Sequence, residues 1–118
     1  MLRLLIVSGL ALCGSGLPML AQSEPPQVPI GANYDQIRPD IVRKLARAGY
    51  MPNPSPRIRA ETCKSYPQEC IRYPELESCL GSGIVTCRMA FSPGLGGFNI
   101  ITTGEGNRRI VLRIIREQ

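Results

Sequence analysis

Four cysteines crowded between Cys63 and Cys87, behind an apolar N-terminal run, constrain this chain more than any other feature. A chain of 118 residues that sheds a leader keeps length for one domain only. Such a domain buries about 60–65% of its unfolded surface and needs further support. Disulfides are the usual support in a short exported chain, each worth ~2–4 kcal/mol. The intervals are C-x6-C, C-x8-C and C-x7-C, with no C-x-x-C and no histidine anywhere. A redox dithiol does not fit that pattern, and zinc would need an all-cysteine set at irregular spacing. Cys63, Cys70, Cys79 and Cys87 are therefore read as two structural disulfides. Their spacing leaves the three connectivities open, although Cys63–Cys70 with Cys79–Cys87 closes the shortest loops.

The N-terminus opens with Met1-Leu2-Arg3, an apolar run from Leu4 to Leu12, and a looser stretch ending at Ala21. One basic residue, a short apolar core and a small residue before a polar continuation make a secretory signal peptide over residues 1–21. Met19 is a poor match to the small residue wanted two positions before the cut. Glycines, serines and Pro18 weaken the same stretch as an uncleaved spanning helix. Lipidation at Cys13 is disfavoured because Leu12 stands where a lipobox wants a small residue. The expected location is the periplasm or the extracellular space, with no stable membrane span after cleavage.

Residues 22–33 carry Pro25, Pro26, Pro29 and Gly31 without apolar periodicity, and read as a flexible linker. The folded domain is placed at residues 34–118. Ile37, Ile41, Leu45 and Ala48, widened by Val42, form one face of an amphipathic helix over Asp35 to Ala48. Pro39 is tolerated in a first turn, which sets the start between Asp35 and Arg38. Gly49 ends the helix, with Pro52 just beyond. Pro52, Pro54 and Pro56 then make Met51 to Arg57 an extended connection or an edge segment. Pro74 to Cys79 reads as one short helical turn: proline first, acids next, Gly81 after.

The last third has period two. Val85, Cys87, Met89 and Phe91 share one face of a strand, as do Phe98, Ile100 and Thr102 of the next. In the third, Ile110, Leu112 and Ile114 oppose Arg109, Val111, Arg113 and Ile115. Short glycine-rich connections make these an antiparallel meander, because parallel strands need long crossovers. The fold class is thus α+β: one amphipathic helix packed on a three-stranded antiparallel meander, stapled by two disulfides.

Two stretches carry a resemblance. Tyr34-Asp35-Gln36-Ile37-Arg38-Pro39 leads into a helix closing at Ala48-Gly49-Tyr50. Tyr73-Pro74-Glu75-Leu76-Glu77-Ser78-Cys79-Leu80-Gly81-Ser82-Gly83 is followed by Cys87-Arg88-Met89-Ala90-Phe91. Together they resemble a group of small exported proteobacterial proteins, helix first and short sheet after, over most of residues 34 to 113. The resemblance implies a fold and a compartment, and brings no established activity or functional residue. The order of elements is also similar in shape to small envelope domains of the PepSY or β-lactamase-inhibitor kind, an analogy that carries no function.

Chemistry is bounded mainly by what is missing. Without histidine there is no Ser-His-Asp or Cys-His arrangement and no common base near neutral pH. Glu75 and Glu77 are the one close carboxylate pair in the ordered part, and acids at a helix start on a wet surface explain them more simply than glycosidase-like chemistry does. Glu105 sits in a turn between two glycines. Gly81-Ser82-Gly83 and Gly94-Leu95-Gly96-Gly97 join no strand to a helix, so turn geometry explains them better than phosphate binding.

The net charge is +5, or +4 once Arg3 is removed, and is carried almost entirely by arginine. Export argues against nucleic acid as a partner. Arg109 and Arg113 are expected on one side of the last strand, flanked by Arg108 and Arg116. Such a strand either contacts an acidic partner or keeps a sheet edge from pairing with other chains, and the protective role is the simpler one. No catalytic residue, metal or cofactor is assigned. The reading is a non-catalytic, protein-binding or inhibitor-like module with an unknown protein partner. The alternative is an envelope accessory domain binding an anionic polymer through Arg108, Arg109, Arg113 and Arg116.

Overall fold

A computed structural model describes residues 26–92 and 97–117. The leader, with Cys13 and Ala21, and most of the glycine-rich turn after Ser92 lie outside the described residues.

Helix α1 spans Tyr34–Arg47. Asn33 caps it, its side chain accepting from the Gln36 N–H at 3.0 Å. Its C-terminus closes as a Schellman motif: Tyr50 N–H donates to the Leu45 carbonyl (2.8 Å) and Gly49 N–H to that of Ala46 (3.0 Å). Gly49 takes the left-handed φ of 94° that this closure requires. Pro39 lies a turn deeper than the sequence suggests. The extra turn places Tyr34 and Arg38 four residues apart on one helix face, where both reach Glu75.

Two further helices follow, neither legible beforehand: α2 (Pro56–Ser65) and α3 (Pro67–Arg72). Each has proline in its first turn, where the missing N–H is no loss. Ser55 caps α2, accepting from Ile58 N–H at 3.3 Å. The Cys63–Cys70 disulfide joins the two helices across the corner at Tyr66.

The sheet has five strands, all antiparallel, where the sequence indicated three. They are β1 (Met51–Pro52), β2 (Leu76–Leu80), β3 (Val85–Ser92), β4 (Gly97–Glu105) and β5 (Arg108–Glu117). β3, β4 and β5 form the expected meander. β1 and β2 both pair with the other edge of β3, β2 along its first half and β1 at its end. Pro52 is accommodated because β1 is an edge strand.

β2 replaces the helical turn read at Pro74–Cys79: Pro74 and Glu75 form a turn, and the residues from Leu76 on pair with β3. The acids that suggested a helix start have other roles, and a register shift between Leu76 and Ser78 leaves Leu76 and Cys79 both buried. Cys79 stands directly opposite Cys87, and their disulfide ties β2 to β3 across a Cα–Cα distance of 4.1 Å.

One face of the sheet carries the core. Val85, Cys87, Met89 and Phe91 from β3 meet Phe98 and Ile100 from β4, with Tyr34, Ile41 and Leu45 of α1 over them. Order also reaches further toward the N-terminus than Tyr34, where the sequence begins the domain. Gly31 N–H donates to the Val111 carbonyl (2.7 Å), and Val111 N–H to that of Ala32 (2.9 Å). This arm, with Val28 buried, covers the start of the β5 edge. Among the described residues no helix is long and apolar enough to cross a membrane.

Candidate functional site

Glu75 accepts three side-chain hydrogen bonds on its carboxylate. It lies in the turn entering β2, and its backbone carbonyl accepts from Ala90 N–H at 2.8 Å, which fixes it against β3. Its carboxylate is wholly buried and receives Arg38 in a two-pronged contact, Nε to Oε2 at 2.6 Å and Nη2 to Oε1 at 2.7 Å. The Tyr34 hydroxyl donates to the same Oε2 at 2.7 Å. The sequence places this acid on a wet helix start, and the structure corrects that. A carboxylate takes such a position only when paired and hydrogen-bonded, and α1 supplies both partners.

Around this pair stands a second. Tyr73, also fully buried, lies with its ring 5.7 Å from that of Tyr34 and donates its hydroxyl to Asp35 at 2.9 Å. On its other side the Arg109 guanidinium carbon sits 6.0 Å from the ring centroid, within reach of a cation–π attraction. Arg109 donates Nη1 to the Val85 carbonyl at 2.8 Å, and its Nε and Nη2 have no hydrogen-bond partner among the described residues.

Burial first, and then the Glu75 charge, push the Tyr34 hydroxyl well above its ordinary pKa. Burial and the bond to Asp35 push Tyr73 up to about 12. The bond to Glu75 raises Arg38 further still. The donors Tyr34, Tyr73 and Arg38 thus keep their protons at neutral pH.

The arginines of β5 do not share the side expected of them. Arg109 has 0% exposure and points into the core, so it is not a surface contact. The register slips between Ile101 and Thr102, leaving Leu112 as an extra residue in β5. Inward positions therefore run Arg109, Val111, Ile114, while Arg113 falls opposite Ile101 on the other face. Arg108, Arg113 and Arg116 are exposed. Among the described residues none of these three forms a salt bridge. Arg116 borders a groove of ≈ 350 Å³ lined by Val28, Ile30, Phe98 and Ile114, between the N-terminal arm and the end of the sheet.

The other candidates resolve into local roles. Glu77 accepts from Ser55 N–H at 2.7 Å, holding the start of α2. Glu105 is exposed in its turn. Gly81 has a φ of 105°, and a Cβ there would meet the Ile84 carbonyl oxygen at 2.8 Å, so turn geometry accounts for it. The cysteines pair as Cys63–Cys70 and Cys79–Cys87, the arrangement with the shortest loops.

These features define a disulfide-stapled α+β domain with a buried ionic network and a partly arginine-lined edge. Comparison with protein-family models, with curated proteins and with solved structures finds no match for the chain.

Proposed function

We propose that the chain is an exported, non-catalytic binding module whose target is another protein in the periplasm or outside the cell. One observation carries this reading: Glu75 and Glu77 are spent on the fold, while Arg108, Arg113 and Arg116 of β5 keep their charge at the surface. Glu75 and Glu77, the pair a hydrolytic mechanism would use, are held by Arg38, Tyr34 and Ser55 N–H. Arg108, Arg113 and Arg116 remain exposed, and Arg116 borders an apolar groove. Charge around an apolar centre is the anatomy of a protein-binding surface. Export is supported by the leader-like N-terminus, by the resemblance to small exported proteins, and by two disulfides, which suit an oxidising compartment.

The test immobilises the oxidised, exported chain and cross-links it in envelope extract at low and high salt. A single protein retained at both salts is the expected outcome. The second reading is an anionic polymer bound by the same three arginines, favoured because none of them forms a salt bridge among the described residues. It predicts a catch that falls steeply with salt, since exposed charges are screened over about 10 Å at 0.1 M.

A further inference from the structure

The edge of β5 is protected over only part of its length. The arm from Gly31 to Asn33 pairs at Ile110 and Val111, and the extra residue at Leu112 follows immediately. Beyond it, among the described residues, no strand pairs with the outer edge of β5. An unpaired edge of this kind is a template for another chain. Here it runs beside the groove of ≈ 350 Å³, whose walls are Val28, Ile30, Phe98 and Ile114 and whose rim is Arg116. Side chains of an added strand would alternate between that groove and the opposite face, where Arg113 stands exposed.

Charge decides the occupant. A second copy meeting this edge would bring its own Arg113 and Arg116 against the first pair, in a chain of net charge +5, and like charges across a strand pair are unfavourable. The arginines that repel self-pairing also select the opposite sign.

We propose that the β5 edge from Arg113 to Arg116 accepts an extended, acidic segment of a partner protein by strand addition. Its aliphatic side chains enter the groove beside Arg116, and the carboxylates that alternate with them meet Arg113 on the opposite face. The backbone ladder supplies affinity, and the groove and arginines supply specificity. This rests on the binding-module reading and names the surface and partner chemistry for it.

The probe is a capped heptapeptide alternating glutamate and valine, with its lysine counterpart and a version N-methylated at the central valine as controls. Binding to the oxidised, exported chain is followed by fluorescence anisotropy and by amide exchange of β5. The expected result is binding of the glutamate peptide alone, with slowed exchange at residues 113–116 and loss on N-methylation. The double variant Arg113→Glu/Arg116→Glu should weaken it by about tenfold and favour the lysine peptide. Equal binding of both peptides, protection elsewhere, no binding, or dimerisation through β5 would overturn the strand-addition proposal. An envelope protein retained equally by wild type and the double variant would overturn it too, while leaving the binding-module reading intact. Retention of no protein in the envelope experiment would remove that broader reading itself.

Discussion

Helix α1 and the strands beneath it are joined by apolar side chains: Ile41 and Leu45 pack into one cluster with Met89, Phe91, Phe98 and Ile100. The segment formed by α2 and α3 has little of this, and Tyr73 and Leu76, which follow it, rejoin the cluster. Thr62 is the only buried residue of α2, and Cys70 the only one of α3. That segment is held by other means. Arg59 reaches three backbone carbonyls, those of Tyr73 (3.0 Å), Leu76 (2.7 Å) and Cys70 (2.9 Å). The Thr62 hydroxyl lies 3.0 Å from the Glu77 carbonyl, and Cys63–Cys70 closes the corner. Where apolar area is short, carbonyl-directed hydrogen bonds and a covalent link set the shape, and the difference makes the two regions respond differently to damage.

The largest effect should come from the apolar region. Ile41→Asp puts a carboxylate in a site with 4% exposure, within the apolar cluster. Loss of the cooperative thermal transition by circular dichroism is expected. Ile58→Asp, on the exposed side of α2, should stay within about 0.5 kcal/mol of wild type. A normal melt for Ile41→Asp would mean that α1 does not close the core.

Glu75→Ala comes next, because Glu75 links the two regions. Removing one member of a buried pair costs ~3–5 kcal/mol, and the 25% exposure of Arg38 favours the lower end. Urea unfolding measures it. A loss below about 1 kcal/mol would show that water replaces the carboxylate easily and that the pair is no bridge.

Opening the Cys63–Cys70 link by Cys63→Ser/Cys70→Ser should cost ~2–3 kcal/mol, given its short loop. Its signature is local. Amide exchange should quicken across α2 and α3 while β3 to β5 keep their protection. Uniform acceleration over the whole domain would erase the distinction between the regions.

The same contrast governs what the sequence discloses. α1 and β3 are legible because an uninterrupted period of 3.6 or 2 meets one apolar face. α2 buries only a threonine, so it has no stripe to read. β2 and the second half of β5 each contain a register shift, and one extra residue moves every later side chain to the other face. That slip hides the burial of Arg109 and separates it from Arg113. Glu75 is hidden for another reason. Its partners Arg38 and Tyr34 lie 37 and 41 residues earlier, and no local pattern displays a contact over that distance.

The smallest effect is absent at neutral pH and tests the seam itself. Tyr34 and Tyr73 stand between α1 and the entry to β2, buried and donating to Glu75 and Asp35. Both hydroxyls have folded-state pKa values above the unfolded value of about 10. Below pH ~10 both states keep these protons, and stability is unaffected. As pH rises further, the unfolded chain releases them while the folded chain holds them, so stability falls with pH. The Tyr73 contribution is exhausted near pH 12, where its folded-state pKa lies, and that of Tyr34, raised well above its ordinary value, starts to be lost once pH passes the unfolded value. Denaturant midpoints across this range, with tyrosinate absorbance followed in parallel, should give a negative slope that Tyr34→Phe makes shallower. A flat profile would mean that the phenols ionise as readily in the folded state. The ionic network would then be open to solvent, and the seam between the two regions would be wet rather than sealed.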